Sequence, residues 1–224
     1  MYQIDLGLLS LLNGSTSLFI DSLALTLTDG YLWIPLYLLL FWMVIKNNET
    51  MAQIALIVGM ALLCLLLSEG VTDFVVKPLV ARLRPTADPM LKYAINVVNG
   101  YRAEGYSFFS AHAANTTAIA VYFCLLVRSR VFSAFMLLWV AANCWTRVYL
   151  GVHYPSDILV GILWGAASGT LCYLLCLKAY RRISPKQHFI SSQYTKTGYS
   201  LPDIDVVICT LVLLFIFAII SSLI

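Results

Sequence analysis

Long apolar runs separated by short polar connections dominate the chain from residue 31 onward, at 31–45, 51–68, 111–127, 131–145, 158–177 and 206–224. A helix needs about 20 apolar residues to cross a bilayer. The first run is short and draws on residues before it, and the second reads on toward Lys77. None alternates with the two-residue period of a barrel strand, so helices are predicted throughout. Residues 1–30 differ. Asp5, Asp21 and Asp29 punctuate stretches too short to span, and Asn13-Gly14-Ser15 breaks them. Two short interfacial helices are predicted there, the second running on into the first span. The expectation is an all-α polytopic membrane protein of about six transmembrane helices with short N-terminal interfacial helices. It forms one membrane domain, residues 1–224, with interfacial helices at 1–30, a core at 69–177 and a last transmembrane helix at 204–224.

Composition narrows the class. Of 224 residues, 61% are hydrophobic and 11% charged, against about 25% charged in an average soluble domain. Too few polar residues remain to cover a soluble surface, which excludes an ordinary cytosolic enzyme, a nucleic-acid module and a disordered chain. The cysteines lie inside apolar runs and read as membrane packing rather than a disulfide framework. Cys172 and Cys176 share a helix face with no His or carboxylate nearby in sequence to complete a metal site. The first basic residue is Lys46, so no signal peptide is expected.

Counting spans puts connections 69–110 and 146–157 on one side, and 178–205 on the other with 46–50 and 128–130. The second side carries Lys46, Arg128, Arg130, Lys178, Arg181, Arg182, Lys186 and Lys196. The first carries Lys77, Arg82, Arg84, Lys92, Arg102 and Arg147, of which Lys77, Arg84 and Arg147 read as functional. The positive-inside rule then puts the first side, with both termini, outside the cytoplasm.

Ionisable residues near a membrane core are costly and mark function. Here Glu69, Asp73, Lys77, Arg82, Arg84, His112, Arg147, His153 and Asp157 gather at the outer ends of four helices. Cations and histidines on one face suggest an anion site. Phosphate fits, since Arg offers a planar fork and Lys a point charge. Ser110 and His112 stand where a helix begins and presents free N–H groups. His153 and Asp157 are four apart, and Pro155 suits the first helical position. The carboxylate then faces back toward the imidazole, fixes its tautomer and leaves the other nitrogen as a nucleophile or base. A phosphohistidine route needs that arrangement. Taken singly, these residues have plainer explanations. A histidine at a helix end is commonly solvated, and arginines and lysines at span ends snorkel to headgroups. On that basis Arg82 and Lys92 face lipid, and Glu69 and Asp73 pair with nearby cations.

The joint pattern is more specific. Lys77-x6-Arg84-Pro85, Ser110-x-His112 and Arg147-x5-His153-x3-Asp157 resemble the three-part signature of the type 2 phosphatidic-acid phosphatase superfamily, over about residues 69–177. The resemblance implies that Lys77, Arg84, Ser110 and Arg147 bind phosphate. It implies that His153 is the nucleophile, Asp157 its orienting partner and His112 the general acid, with no metal or other cofactor. Two blocks depart from the pattern. Pro-Ser-Gly-His is here Phe109-Ser110-Ala111-His112, and Ser-Arg is Thr146-Arg147. Both departures keep the groups that do chemistry.

The expected activity is hydrolysis of an amphiphile's phosphate ester at the outer, periplasmic face of a bacterial inner membrane. Lipid A is the favoured substrate, with undecaprenyl diphosphate, phosphatidate and phosphatidylglycerophosphate as alternatives. The partners are the bilayer and the lipid phosphate, not nucleic acid. A transporter would spread polar residues at mid-depth through several spans, whereas here they gather at one end. An inactive phospholipid-binding homologue is the other alternative, suggested by the altered second block.

Overall fold

A computed structural model describes residues 2–91, 93–183 and 192–224. Lys92 and Lys186 lie outside the described residues. The elements in order are α1 (Tyr2–Leu12), α2 (Leu18–Thr28), a 3₁₀ turn (Gly30–Trp33), α3 (Ile34–Lys46) and α4 (Met51–Gly70). A π-helical turn (Val71–Val76) leads into α5 (Lys77–Val80), followed after a long loop by α6 (Ala111–Val127), α7 (Arg130–Tyr149), α8 (Pro155–Ile183) and α9 (Leu201–Ser221). No strand occurs among the described residues, only an isolated bridge between Tyr194 and Ser200.

Four helical stretches are long and apolar enough to cross a membrane: Met51–Ala87, Arg130–Tyr149, Pro155–Ile183 and Leu201–Ser221. A fifth arises if α2 and the stretch through α3, bent by 61°, make one span. The remaining expected span corresponds to α6, which is apolar but has 17 residues. The protein is an all-α polytopic membrane protein.

Helix ends extend past the apolar runs because hydropathy marks the membrane, whereas caps and backbone bonding mark the helix. α4 opens on a capping box in which the Thr50 hydroxyl accepts from Gln53 N and the Gln53 side chain accepts from Thr50 N. Its C-terminal end does not stop at the apolar limit but passes through the π turn that carries Asp73 and on to Lys77. α7 likewise runs to Tyr149, so Arg147 sits on a helix and the connection shrinks to residues 150–154.

α6 against α8 positions the site. Gly161, Gly165 and Gly169 recur every fourth residue along α8 and press on the backbone of Ser110, Ala114 and Ala118. A methyl on Gly161 would lie 2.7 Å from the Ser110 carbonyl oxygen, and one on Gly169 would lie 2.5 Å from that of Ala118. On Gly165 it would collide with the Ala114 carbonyl oxygen. Small residues at this spacing let two membrane helices approach closely. The two N-termini meet as a result, with Ser110 N donating to the Asp157 carbonyl at 3.2 Å.

α1 packs on α7 and α8, and α2 on α7 and α9. Both helices therefore join the end of the bundle where Asp157 and Arg147 lie. The opposite end is tied by Thr197 Oγ1 donating to the Val127 carbonyl (2.9 Å), Ser200 N to Asn47 Oδ1 (2.7 Å) and Asn47 Nδ2 to Asp203 (3.0 Å).

Candidate active site

His153 sits in the short α7–α8 connection, 2% exposed. That connection is drawn back on α7, where the Arg147 carbonyl accepts from Val152 N (3.2 Å) and His153 N (3.3 Å). The turn depends on Gly151 at φ +65°, where a Cβ would lie 2.7 Å from Ile95 Cγ2. Only glycine meets both demands without strain.

The two nitrogens of the His153 ring face different walls. Nε2 lies 3.0 Å from Arg84 Nη1. A guanidinium has no acceptor, so Nε2 must accept, which puts the ring proton on Nδ1. Nδ1 faces Asp157 Oδ2 at 3.7 Å, too far for a direct hydrogen bond. The Ser107 hydroxyl fills that gap, 3.4 Å from Nδ1 and donating to Asp157 Oδ2. Burial holds the His153 pKa down to about 4; the nearby Asp157 carboxylate pulls it up, and Arg84 and Arg147 push it down. The imidazole is therefore neutral at physiological pH, with a lone pair on Nε2.

Asp157, at the third residue of α8 behind Pro155, is fully buried. It accepts from Tyr154 N (3.0 Å), Ser107 Oγ and Arg82 Nη1 (2.7 Å). Arg82 bridges onward to Asp5 at 2.9 Å and to Ser156 Oγ at 2.8 Å, while its guanidinium stacks 3.8 Å over the Tyr154 ring. Asp5 also accepts from Ser156 N (2.9 Å) and Ser156 Oγ (2.6 Å).

Arg82 is thus not a lipid-facing residue, as expected from sequence, but the link between α1 and Asp157. Its position between motif residues hid this role. Asp5 and Ser107 were missed too. An acidic residue in a short N-terminal amphipathic helix carries no signature, and only the buried position of Asp5, 4% exposed, gives it away.

Of the other cations, Arg147 alone keeps a buried donor without a partner among the described residues. Arg147 is 2% exposed, and its Nη1 donates to Thr28 Oγ1 (2.5 Å) and Tyr101 OH (3.2 Å). Its Nε is buried without a hydrogen-bond partner. Arg84 donates to the carbonyls of Glu104, Gly105 and Val152 at 2.8–3.2 Å, besides contacting His153. The Lys77 ammonium, one turn past Asp73, pairs with it at 2.6 Å. Arg147, His153, Lys77 and Arg84 are ionisable groups near His112. Ser110 caps α6, its Oγ accepting from Ala113 N at 3.4 Å, and His112 follows with an exposed side chain. Glu69 lines a cavity with His112, described below, rather than joining the cation wall.

The fold thus brings Lys77, Arg84, Ser110, His112, Arg147, His153 and Asp157 to one end of the bundle. A buried neutral imidazole beside two arginines, at the end of the bundle that also carries Lys77 and a second histidine, is a candidate phosphoryl-transfer site in a helical membrane protein. Residues 54–181 match the model of the PAP2 superfamily. The chain belongs to the PAP2 superfamily and is a membrane phosphatase. It is 34% identical over 182 residues to a lipid A 4'-phosphatase of Bacteroides thetaiotaomicron, covering 81% of this chain and 80% of the relative. A lipid A 4'-phosphatase of Porphyromonas gingivalis is 27% identical over 180 residues, 80% of this chain and 76% of that one. A decaprenylphosphoryl-5-phosphoribose phosphatase of Mycobacterium tuberculosis is 38% identical over 96 residues, 43% of this chain and 49% of that one. No solved structure matches.

Proposed function

We propose that this protein removes a phosphate monoester from lipid A at the periplasmic face of the inner membrane, through a phosphohistidine intermediate. The observation that carries the mechanism is the two-faced His153 ring, with Nδ1–H toward Ser107 and Asp157 and the Nε2 lone pair toward the cations. In the first step Nε2 attacks phosphorus, forming the P–N bond as the P–O bond to the lipid breaks. The bonding pair leaves with the lipid oxygen, which takes a proton from His112. Lys77, Arg84, Arg147 and Ser110, with the backbone N–H groups that follow it at the start of α6, stabilise the equatorial oxygens. Arg84 then shares its contact on Nε2 with the phosphate. In the second step water attacks phosphorus, His112 accepts its proton, the P–N bond breaks and inorganic phosphate departs.

The substrate reading is supported by two relatives named lipid A 4'-phosphatase that align along four-fifths of this chain. The orientation is supported by charge. Arg82 is now also accounted for at the site, which leaves only Lys92 and Arg102 of the outer-side cations against eight on the other side. The test is mass-spectrometric loss of one phosphate from lipid A by purified protein in detergent containing EDTA. Retained activity, inhibited by vanadate, is expected; complete loss restored by magnesium refutes the mechanism. In cells lacking the native cysteines, Asp88→Cys should react with an impermeant thiol reagent and Ser192→Cys should not.

A further inference from the structure

A cavity of about 180 Å³ opens beside His112, between the start of α3, the end of α4 and helices α6 and α7. On this measure a single water takes roughly 10–15 Å³, so the space admits a ring of monosaccharide size. His112, Asn115 and Thr116 line it from one face of α6, at the three- and four-residue spacing that stacks side chains on a helix. Glu69 faces them from α4, and Trp33 and Tyr37 form an aromatic wall. The Trp33 ring is fixed edge-on against Trp139 and Phe215, and Tyr37 edge-on against Trp139.

Most polar groups here are already committed. Thr116 Oγ1 donates to the His112 carbonyl (2.8 Å), and Asn143 Nδ2 to that of Trp139 (2.9 Å). Asn115 Oδ1 is different: it is buried and has no hydrogen-bond partner. A buried acceptor left unsatisfied is destabilising and calls for an explanation. Glu69 adds a second acceptor. A ligand seated here must therefore supply hydrogen-bond donors to Asn115 and Glu69, and an apolar face to the aromatic rings.

We infer that this cavity is a saccharide subsite, holding the sugar ring whose phosphate ester is cleaved. The inference rests on the phosphatase reading, because that reading puts the leaving oxygen at His112, and the carbon bearing it continues into the cavity. A sugar's hydroxyls supply the donors, and its C–H face packs on an aromatic ring. The diacylglycerol released from phosphatidate offers mainly ester carbonyl acceptors around the scissile bond, and the phosphate leaving from a prenyl diphosphate brings no ring. Sites built to hydrogen-bond a substrate hydroxyl reject analogues that lack it, and do so strongly. Asn115 and Glu69 would thus set specificity for phosphorylated glycolipids.

The test compares kcat/KM on lipid A and on phosphatidate in the same detergent, for wild type, Asn115→Leu and Glu69→Ala. Wild type should prefer lipid A by at least about 10²-fold. Each variant should shrink that ratio by about tenfold or more, chiefly through lipid A. Glu69 is exposed at a helix end, so Glu69→Ala decides the matter if Asn115→Leu does not fold. A wild type that cleaves both lipids equally, or a ratio unchanged in the folded variants, overturns the subsite while leaving the phosphatase standing. No phosphate release from either lipid by wild type overturns the phosphatase reading itself.

Discussion

The two walls around His153 differ in how completely their polar groups are used. On the supporting wall, Asp5, Arg82, Ser107 and Asp157 form a continuous chain in which carboxylate oxygens and guanidinium donors meet partners in the protein. On the binding wall, Arg147 Nε and, beyond His112, Asn115 Oδ1 are buried without partners. A saturated network rigidifies and orients; unspent donors and acceptors bind. On the proposed mechanism, the difference separates residues that would hold the nucleophile from residues that would meet the substrate, although both kinds look alike in the sequence.

Substitutions on the binding wall should have the largest effects. Arg147→Lys and Arg84→Lys should each lower kcat/KM by about 10²-fold or more, because a point charge cannot replace a planar fork on phosphate. Steady-state hydrolysis of lipid A measures this. A loss under threefold at either position would remove that arginine from the phosphate site.

Substitutions on the supporting wall should be milder and should fall on kcat. Arg82→Lys and Asp5→Asn should each reduce kcat about tenfold with KM nearly unchanged, since both act on the imidazole through Asp157. A rise in KM without loss of kcat would instead put α1 and Arg82 in contact with substrate. If Arg82→Lys is silent, the chain from Asp5 to Asp157 is only structural.

The smallest effect concerns pH. With the His153 pKa held near 4, the nucleophile stays unprotonated as pH falls through 6.5, the ordinary histidine value. Phosphoenzyme formation from p-nitrophenyl phosphate, whose leaving group needs little protonation, should therefore change less than threefold from pH 7 to pH 5 and decline toward pH 4. A midpoint near 6.5 would mean that the ring is not desolvated when it reacts.

The residues proposed to bind phosphate were more legible in the sequence than those that support His153. Ser110 and His112 stand at the start of α6, and His153 and Asp157 at the start of α8, while Lys77, Arg84 and Arg147 keep fixed spacings to their motif partners near helix ends and in the long loop. Asp5 reaches Ser156 across 151 positions in sequence, a contact no local pattern announces. Ser107 precedes its motif block by three residues and reads as an ordinary loop serine. The helical class and the continuation of α4 toward Lys77 followed from the apolar runs, but the end of α7 did not, because Arg147 lies on a helix that outruns its apolar stretch. The glycines of α8 were legible as a four-residue repeat only once α6 lay against them.

The central claim is that His153 carries the phosphoryl group and His112 serves the leaving oxygen and the water. Rapid quench with phosphorus-labelled p-nitrophenyl phosphate tests it most directly. Wild type should give an acid-labile, base-stable phosphoprotein, absent in His153→Ala and longer-lived in His112→Ala, which loses the base for water attack. Labelling that persists in His153→Ala and vanishes in His112→Ala would exchange the two roles, and labelling unaffected by either substitution would contradict the phosphohistidine mechanism.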